Sequence, residues 1–207
     1  MSKSGILARC SAVAIGTVLL VGVAGAAIAE ENHGDHDVDV AVAIAPLETP
    51  GVLALSVSGT STTLSENGST ELVRQFTGAL PTVTVTDTRT ADEITEGSAW
   101  YVLGSSTGFT GDAGQPGIGA GHLGWAPQLV DGGESGQVAE GDVVDTVMDS
   151  GADAVGLVDQ ELLAMAYDSA EIADEGQWTA TAELLLRTPA TVAAGDYTAT
   201  LTLSLFE

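Results

Sequence analysis

The sequence predicts an all-β fold, an antiparallel β-sandwich of Ig-like general architecture, on three observations. Runs of alternating apolar and polar residues recur along the chain, glycine- and proline-bearing clusters separate them, and no sustained heptad or longer repeat is present. The strongest run is the last, where Tyr197, Ala199, Leu201, Leu203 and Leu205 share one parity and Thr198, Thr200, Thr202 and Ser204 the other. Successive side chains of a strand point to opposite faces, so this pattern describes one half-buried strand. Its unbroken parity predicts a place in the interior of a sheet. Just before it, Trp178, Ala180, Ala182, Leu184 and Leu186 alternate with Thr179, Thr181, Glu183, Leu185 and Arg187. Pro189 and Gly195 punctuate the connection, and the two runs predict neighbouring antiparallel strands.

The remaining elements follow the same logic in chain order. Val38, Val40, Val42 and Ile44 alternate with Asp39, Ala41 and Ala43, and Pro50-Gly51 separates this expected strand from the next, at Leu53, Leu55 and Val57. Further strands are expected at Leu72 to Thr77, Thr82 to Asp87, Trp100 to Ser105 and Leu123 to Val130, each bounded by Gly, Ser, Asp or Pro. Val158 to Glu175 fits both periods, and Leu162 to Tyr167 is read as a strand. Gly104 to Gly121 carries seven glycines with Phe109 and Ile118 as its large apolar residues, a connection long enough to hold an irregular edge strand.

At 207 residues and 44% hydrophobic, the chain supports one medium domain with a real core. Five Lys and Arg against 29 Asp and Glu give a net charge of −24, which argues against nucleic acid as a partner. The single cysteine, Cys10, excludes an intramolecular disulfide, a thiolate zinc cluster and a cysteine nucleophile in the body of the chain.

Lys3 and Arg9 form a positive n-region, Ser11 to Ala26 an apolar run, and Ala27-Ile28-Ala29 a small-residue cleavage site, so residues 1–29 read as a signal peptide. The run is short and glycine-rich for a bilayer span, and Cys10 precedes it, unlike a lipidated cysteine. The reading is therefore of a secreted protein, extracellular or associated with the cell wall, with no membrane span in its mature form. An acidic tail, 30–37, then leads into the domain, 38–207. Cleavage leaves Arg74, Arg89 and Arg187 against all 29 acids, a net charge of 3 − 29 = −26, for which salt or divalent cations are the expected companions.

Candidate binding residues are few. Trp100, Trp125 and Trp178 could stack on sugar rings or, since each sits in an alternating apolar run, pack in the core. Asp87 and Arg89, two apart at a strand end, share a face where they could pair as a structural corner or meet a partner. His33 and His36 with Asp35 and Asp37 are weak metal ligands in the acidic tail. Asp131, Glu134, Glu140, Asp142, Asp145, Asp149 and Asp153 crowd one glycine-rich stretch without a basic residue, which must be solvent-exposed or cation-bound. No cofactor is required, and calcium is the ion that stretch would take, with modest affinity since no complete EF-hand pattern is present. A reaction centre is missing: His122 is the one histidine outside the tail, and there is neither a Gly-x-Ser-x-Gly elbow nor a His-Glu-x-x-His motif.

Three blocks carry a resemblance. Val83-Thr84-Val85-Thr86-Asp87-Thr88-Arg89, then Trp100 and a Gly-rich stretch with Phe109-Thr110, then Ala194-Gly195-Asp196-Tyr197-Thr198-Ala199-Thr200-Leu201-Thr202-Leu203 together resemble the WxL domain of Gram-positive surface proteins, over roughly Thr82 to Phe206. The terminal Trp-x-Leu that names the family is Leu203-Ser204-Leu205 here, which marks a divergent relative. The resemblance implies an all-β domain held non-covalently at the bacterial cell wall, through peptidoglycan or wall-associated proteins. The expected function is a secreted, non-catalytic envelope-binding module. Its alternative is a self-associating subunit of a surface layer or fibre, bridged by cations.

Overall fold

The computed structural model describes residues 39–45, 49–152 and 154–207. The chain divides between Pro46 and Leu47. On the N-terminal side of that division, residues 39–45 form no strand, and Val40, Val42 and Ile44 are 91%, 80% and 86% exposed. The strand expected at Val38 to Ile44 is thus not formed over its described part, because alternation supplies an apolar face but no partner for the backbone. The signal segment and acidic tail, His33 and His36 included, lie outside the described residues.

From Leu53 onward the chain is all-β, with twelve strands among the described residues, no α-helix, and two single-turn 3-10 segments at Ala91–Glu93 and Ala120–His122. The strands are β1 Leu53–Val57, β2 Ser65–Glu66, β3 Val73–Ala79, β4 Val83–Asp87, β5 Tyr101–Ser106 and β6 Thr110–Gly111, then β7 Leu123–Asp131, β8 Val138–Glu140, β9 Glu161–Ala166, β10 Gln177–Pro189, β11 Tyr197–Thr198 and β12 Leu201–Phe206. Expected strands at Leu53, Leu72, Thr82, Trp100, Leu123, Leu162 and Trp178 are therefore present, shifted by a residue or two at their ends.

Two antiparallel sheets pack face to face, one of them strongly curled into a half-barrel. The curled sheet runs β1-β4-β10-β3-β2, with β7 on the other side of β10. β3 and β4 follow one another along the same edge of β10, and the step between them explains the curl. Ala79 faces Glu183 and Val83 faces Ala180, so between these pairs three residues on one side oppose two on the other. The extra residue falls at Leu80-Pro81-Thr82, where Leu80 still donates to the Ala182 carbonyl but Pro81 has no N–H to give. A bulge built on a proline bends the strand without leaving a donor unpaired.

The second sheet runs β12-β5-β9-β8. Two expectations are corrected here. The C-terminal run is an edge strand, paired to β5, and it is interrupted at Ala199-Thr200 between β11 and β12. β10 and β12 are not neighbours but lie in different sheets. Parity reports which face is buried and says nothing about which strand lies alongside. β11 pairs with β6, so the Gly-rich segment does hold a short irregular strand.

Between the sheets, Trp100, Trp125 and Trp178 are 1%, 1% and 2% exposed, with Leu157, Leu163, Ile172, Val83 and Val102 around them. The Trp100 and Trp178 rings sit 5.5 Å apart and tilted by 41°, close to the arrangement that aromatic quadrupoles favour. Gly104 on β5 makes room for Trp125: a Cβ there would lie 2.5 Å from its Cη2 and 3.2 Å from Leu203. Neither neighbour can retreat freely, since one is a fully buried indole. Gly104→Ala is expected to cost about 1–3 kcal/mol by overpacking, read as a lower thermal midpoint by circular dichroism; an unchanged midpoint would mean that the sheets do not approach this closely at β5.

Candidate functional site

The inward parity of β4 runs Val83, Val85, Asp87, so its last member brings a carboxylate to the core side with 1% of its side chain exposed. A lone charge there would be costly. Arg89, just past the strand end, meets it with Nε at 2.9 Å and Nη2 at 2.7 Å, and its backbone N–H donates at 3.0 Å. The other side of the guanidinium donates to Glu207 at 2.6 and 2.7 Å. The planar fork thus ties the corner after β4 to the residue after β12. Hydrogen bonding to Arg89 holds the Glu207 carboxyl below its ordinary range, and the two carboxylates raise the already high pKa of Arg89. With 13% of the arginine side chain exposed and both edges engaged, the pair is a corner of the fold.

The three tryptophans present no ring face to solvent. Trp178 donates its indole N–H to Glu175 at 2.7 Å, while those of Trp100 and Trp125 have no protein partner. The acidic stretch is pinned rather than gathered. Glu175 also accepts the backbone N–H groups of Glu134 and Ser135, and these bonds, that from Trp178 foremost, lower its pKa. Asp131 accepts the N–H of Gly133, and Asp149 pairs with Arg187 and accepts from Thr146. Glu134, Glu140 and Asp142 are exposed, Asp145 is half-buried, and Asp153 lies outside the described residues. Among the described residues, no three or more His, Cys, Asp or Glu side chains come close enough to hold a metal ion. His122 places Nδ1 2.6 Å from the Arg187 carbonyl, a contact that requires the proton on that nitrogen.

Two features escaped sequence reasoning. The first is an exposed aromatic pair on the outer face of the second sheet. Phe206 on β12 stands directly opposite Tyr101 on β5, their rings 5.4 Å apart and inclined by 18°, 38% and 36% exposed. Met165 on β9 is the next residue across from Tyr101. The signal was present, since Tyr101 has the opposite parity to Trp100 and Val102, and Phe206 the opposite parity to Leu205.

The second is a cleft of about 1020 Å³ between the sheets. Leu55 and Val57 of β1, Phe76 of β3, Leu186 of β10, and Leu201 and Leu203 of β12 line it. Residues 59–64, which carry no strand between β1 and β2, line it as well. The chain matches no protein-family model, no curated protein and no solved structure.

Removing one side of a buried pair leaves the other charge uncompensated. Arg89→Ala should therefore destabilise by about 3–5 kcal/mol, and Glu207→Gln by less. Glu207 has a folded pKa lowered from an ordinary 4.5, so its contribution is complete above that value and is lost as pH falls through the lowered one. Melting profiles of the parent and Glu207→Gln chains should accordingly draw together as pH falls from above 4.5 through the lowered value. A constant gap between them down to pH 2 would show that the carboxylate does not carry the link.

Proposed function

We propose that this chain is a secreted, non-catalytic binding module of the bacterial cell envelope, held non-covalently at the wall in the manner the WxL resemblance implies. The observation that carries the reading is the exposed Tyr101–Phe206 stack. Sugar rings present C–H faces that pack on aromatic surfaces, and the partly exposed ring pair on the outer sheet face offers an aromatic surface to a glycan. Both residues fall within the stretch over which the resemblance runs. The blocks of that resemblance also meet in space: Thr110 of the second pairs with Thr198 of the third, and Arg89 of the first reaches Glu207 just beyond it. The three tryptophans belong to the support of this platform, beneath it in the core.

The binding would be polar and cation-assisted at long range. A mature domain of charge −26 is repelled by anionic wall polymers unless divalent ions screen or bridge the two. The peptidoglycan glycan, or a glycosylated wall protein, is the class of partner that an uncharged aromatic platform suits.

Isolated Gram-positive walls mixed with the purified chain in the presence of calcium should sediment it, and denaturant should release it without wall hydrolysis. The double substitution Tyr101→Ala/Phe206→Ala should cut retention at least tenfold while leaving the melting midpoint within a few degrees, because both side chains are exposed. Retention unaffected by the double substitution, or no sedimentation of the parent, would overturn the proposal.

A further inference from the structure

The chain has two asparagines, Asn32 and Asn67, and the second is followed by glycine. Asn67 and Gly68 lie in the connection between β2 and β3, where both are exposed. Gly68 has a φ of 82°, in the left-handed region that glycine enters without steric cost. An asparagine in such a pair cyclises to a succinimide when the peptide nitrogen of the next residue attacks its side-chain amide carbon. Glycine, with no side chain, hinders that approach least.

The groups this reaction uses are arranged for it here. The nucleophile is free, since among the described residues no group accepts the Gly68 N–H. The side-chain amide of Asn67 is loosely held, its one contact being to the Thr77 hydroxyl at 3.5 Å, the outer limit of a hydrogen bond. The Asn67 main-chain carbonyl accepts from Nε2 of Gln75 at 2.9 Å. That carbonyl and the Gly68 N–H belong to one peptide group, so a donor on the oxygen stabilises the anion left when the nitrogen gives up its proton. Gln75 is itself fixed in place: Nε of Arg187 donates to its Oε1 at 2.8 Å, and its backbone N–H donates to the Ser69 hydroxyl at 3.0 Å. A Cβ at position 68 would lie 2.6 Å from Nε2 of Gln75, so a larger residue there would displace the donor.

We propose that Asn67-Gly68 is a self-modifying site, converted to isoaspartate in the folded turn with the Gln75 amide promoting the step. The Gly68 nitrogen, its proton passed to hydroxide, attacks Cγ of Asn67. The N–Cγ bond forms, the Cγ–Nδ2 bond breaks, and ammonia leaves with a proton taken from water. One water then opens the ring at either carbonyl, giving aspartate or isoaspartate. Either product replaces a neutral amide by a carboxylate next to Glu66, the partner of Arg74. Isoaspartate also lengthens the backbone by one carbon at the turn, out of step with the bonds from the Asn67 N–H to Gln75 and from the Gln75 N–H to Ser69. The change accumulates without an enzyme and so records the age of each molecule. It does not rest on wall binding.

Incubating the full chain at pH 7.5 and 37 °C, with isoaspartate read by methyltransferase labelling and peptide mass mapping, tests the proposal. Conversion at Asn67 should exceed that at Asn32, which precedes a histidine, several-fold, and should quicken as pH rises. The folded chain should react no more slowly than the same chain in urea. Gln75→Glu keeps an oxygen for Arg187 and loses the donor to Asn67. Its folded form should react several-fold more slowly than the parent, while in urea the two should react alike. Equal rates in the folded chains, or a difference that persists in urea, would overturn the role of Gln75. An Asn67 that stays intact in the folded parent while the chain in urea is converted would overturn the proposal itself, and that comparison needs no variant.

Discussion

The thirteen residues of β10 are the constraint on which the rest of the domain depends. One parity of this strand, Trp178, Ala180, Ala182, Leu184, Leu186 and Thr188, is buried throughout, and its two edges hold β3, β4 and β7. Because β10 is longer than any of its partners, two strands must share one edge, and the Pro81 bulge at their junction curls the sheet. The curl in turn lets large indoles fill part of the sandwich while a cleft stays open. Core and cleft are two consequences of a single long strand paired to shorter ones.

Sequence was most informative where alternation and burial coincide. β10 was legible almost residue by residue, because an alternating run with tryptophan on the inward parity has one sensible orientation in a sheet. Val83 to Asp87 was legible for the same reason, and the Asp87–Arg89 spacing already placed both groups on one face. The C-terminal run misled in a specific way. An edge strand over a half-filled cleft shows the same parity as a central strand, since both bury one face, so parity could not reveal that β12 lacks a second neighbour. The strands of two or three residues at β2 and β8 are fixed by partners elsewhere in the sequence and leave no period to detect.

The candidate site was less legible than the fold. Tryptophan's ring is large and its chemistry suits a sugar, yet size is also what makes it the best core filler, and here packing wins for all three. The residues of opposite parity, Tyr101 and Phe206, are the exposed ones, as follows from the inward parity of Trp100 and Leu205. The carboxylates of the 131–153 stretch show how sequence and space can differ. Their density suggested an ion, but density in sequence is not convergence in space, and Glu175 and Arg187 draw individual members of the stretch in different directions.

The way the three arginines are used has a further consequence. Arg74 pairs with Glu66, Arg89 with Asp87 and Glu207, and Arg187 with Asp149, so each acts as a rivet between segments. The one lysine of the chain is Lys3, ahead of the apolar run. The folded domain therefore offers no side-chain amine, and no enzyme that joins proteins through lysine isopeptide bonds has an acceptor on it. A trypsin-like protease finds three cleavable positions, two of them inside paired strands and one at a corner clamped by two carboxylates. Against such a protease a near absence of basic residues is a form of armour, and the few that remain are placed where unfolding must precede cutting.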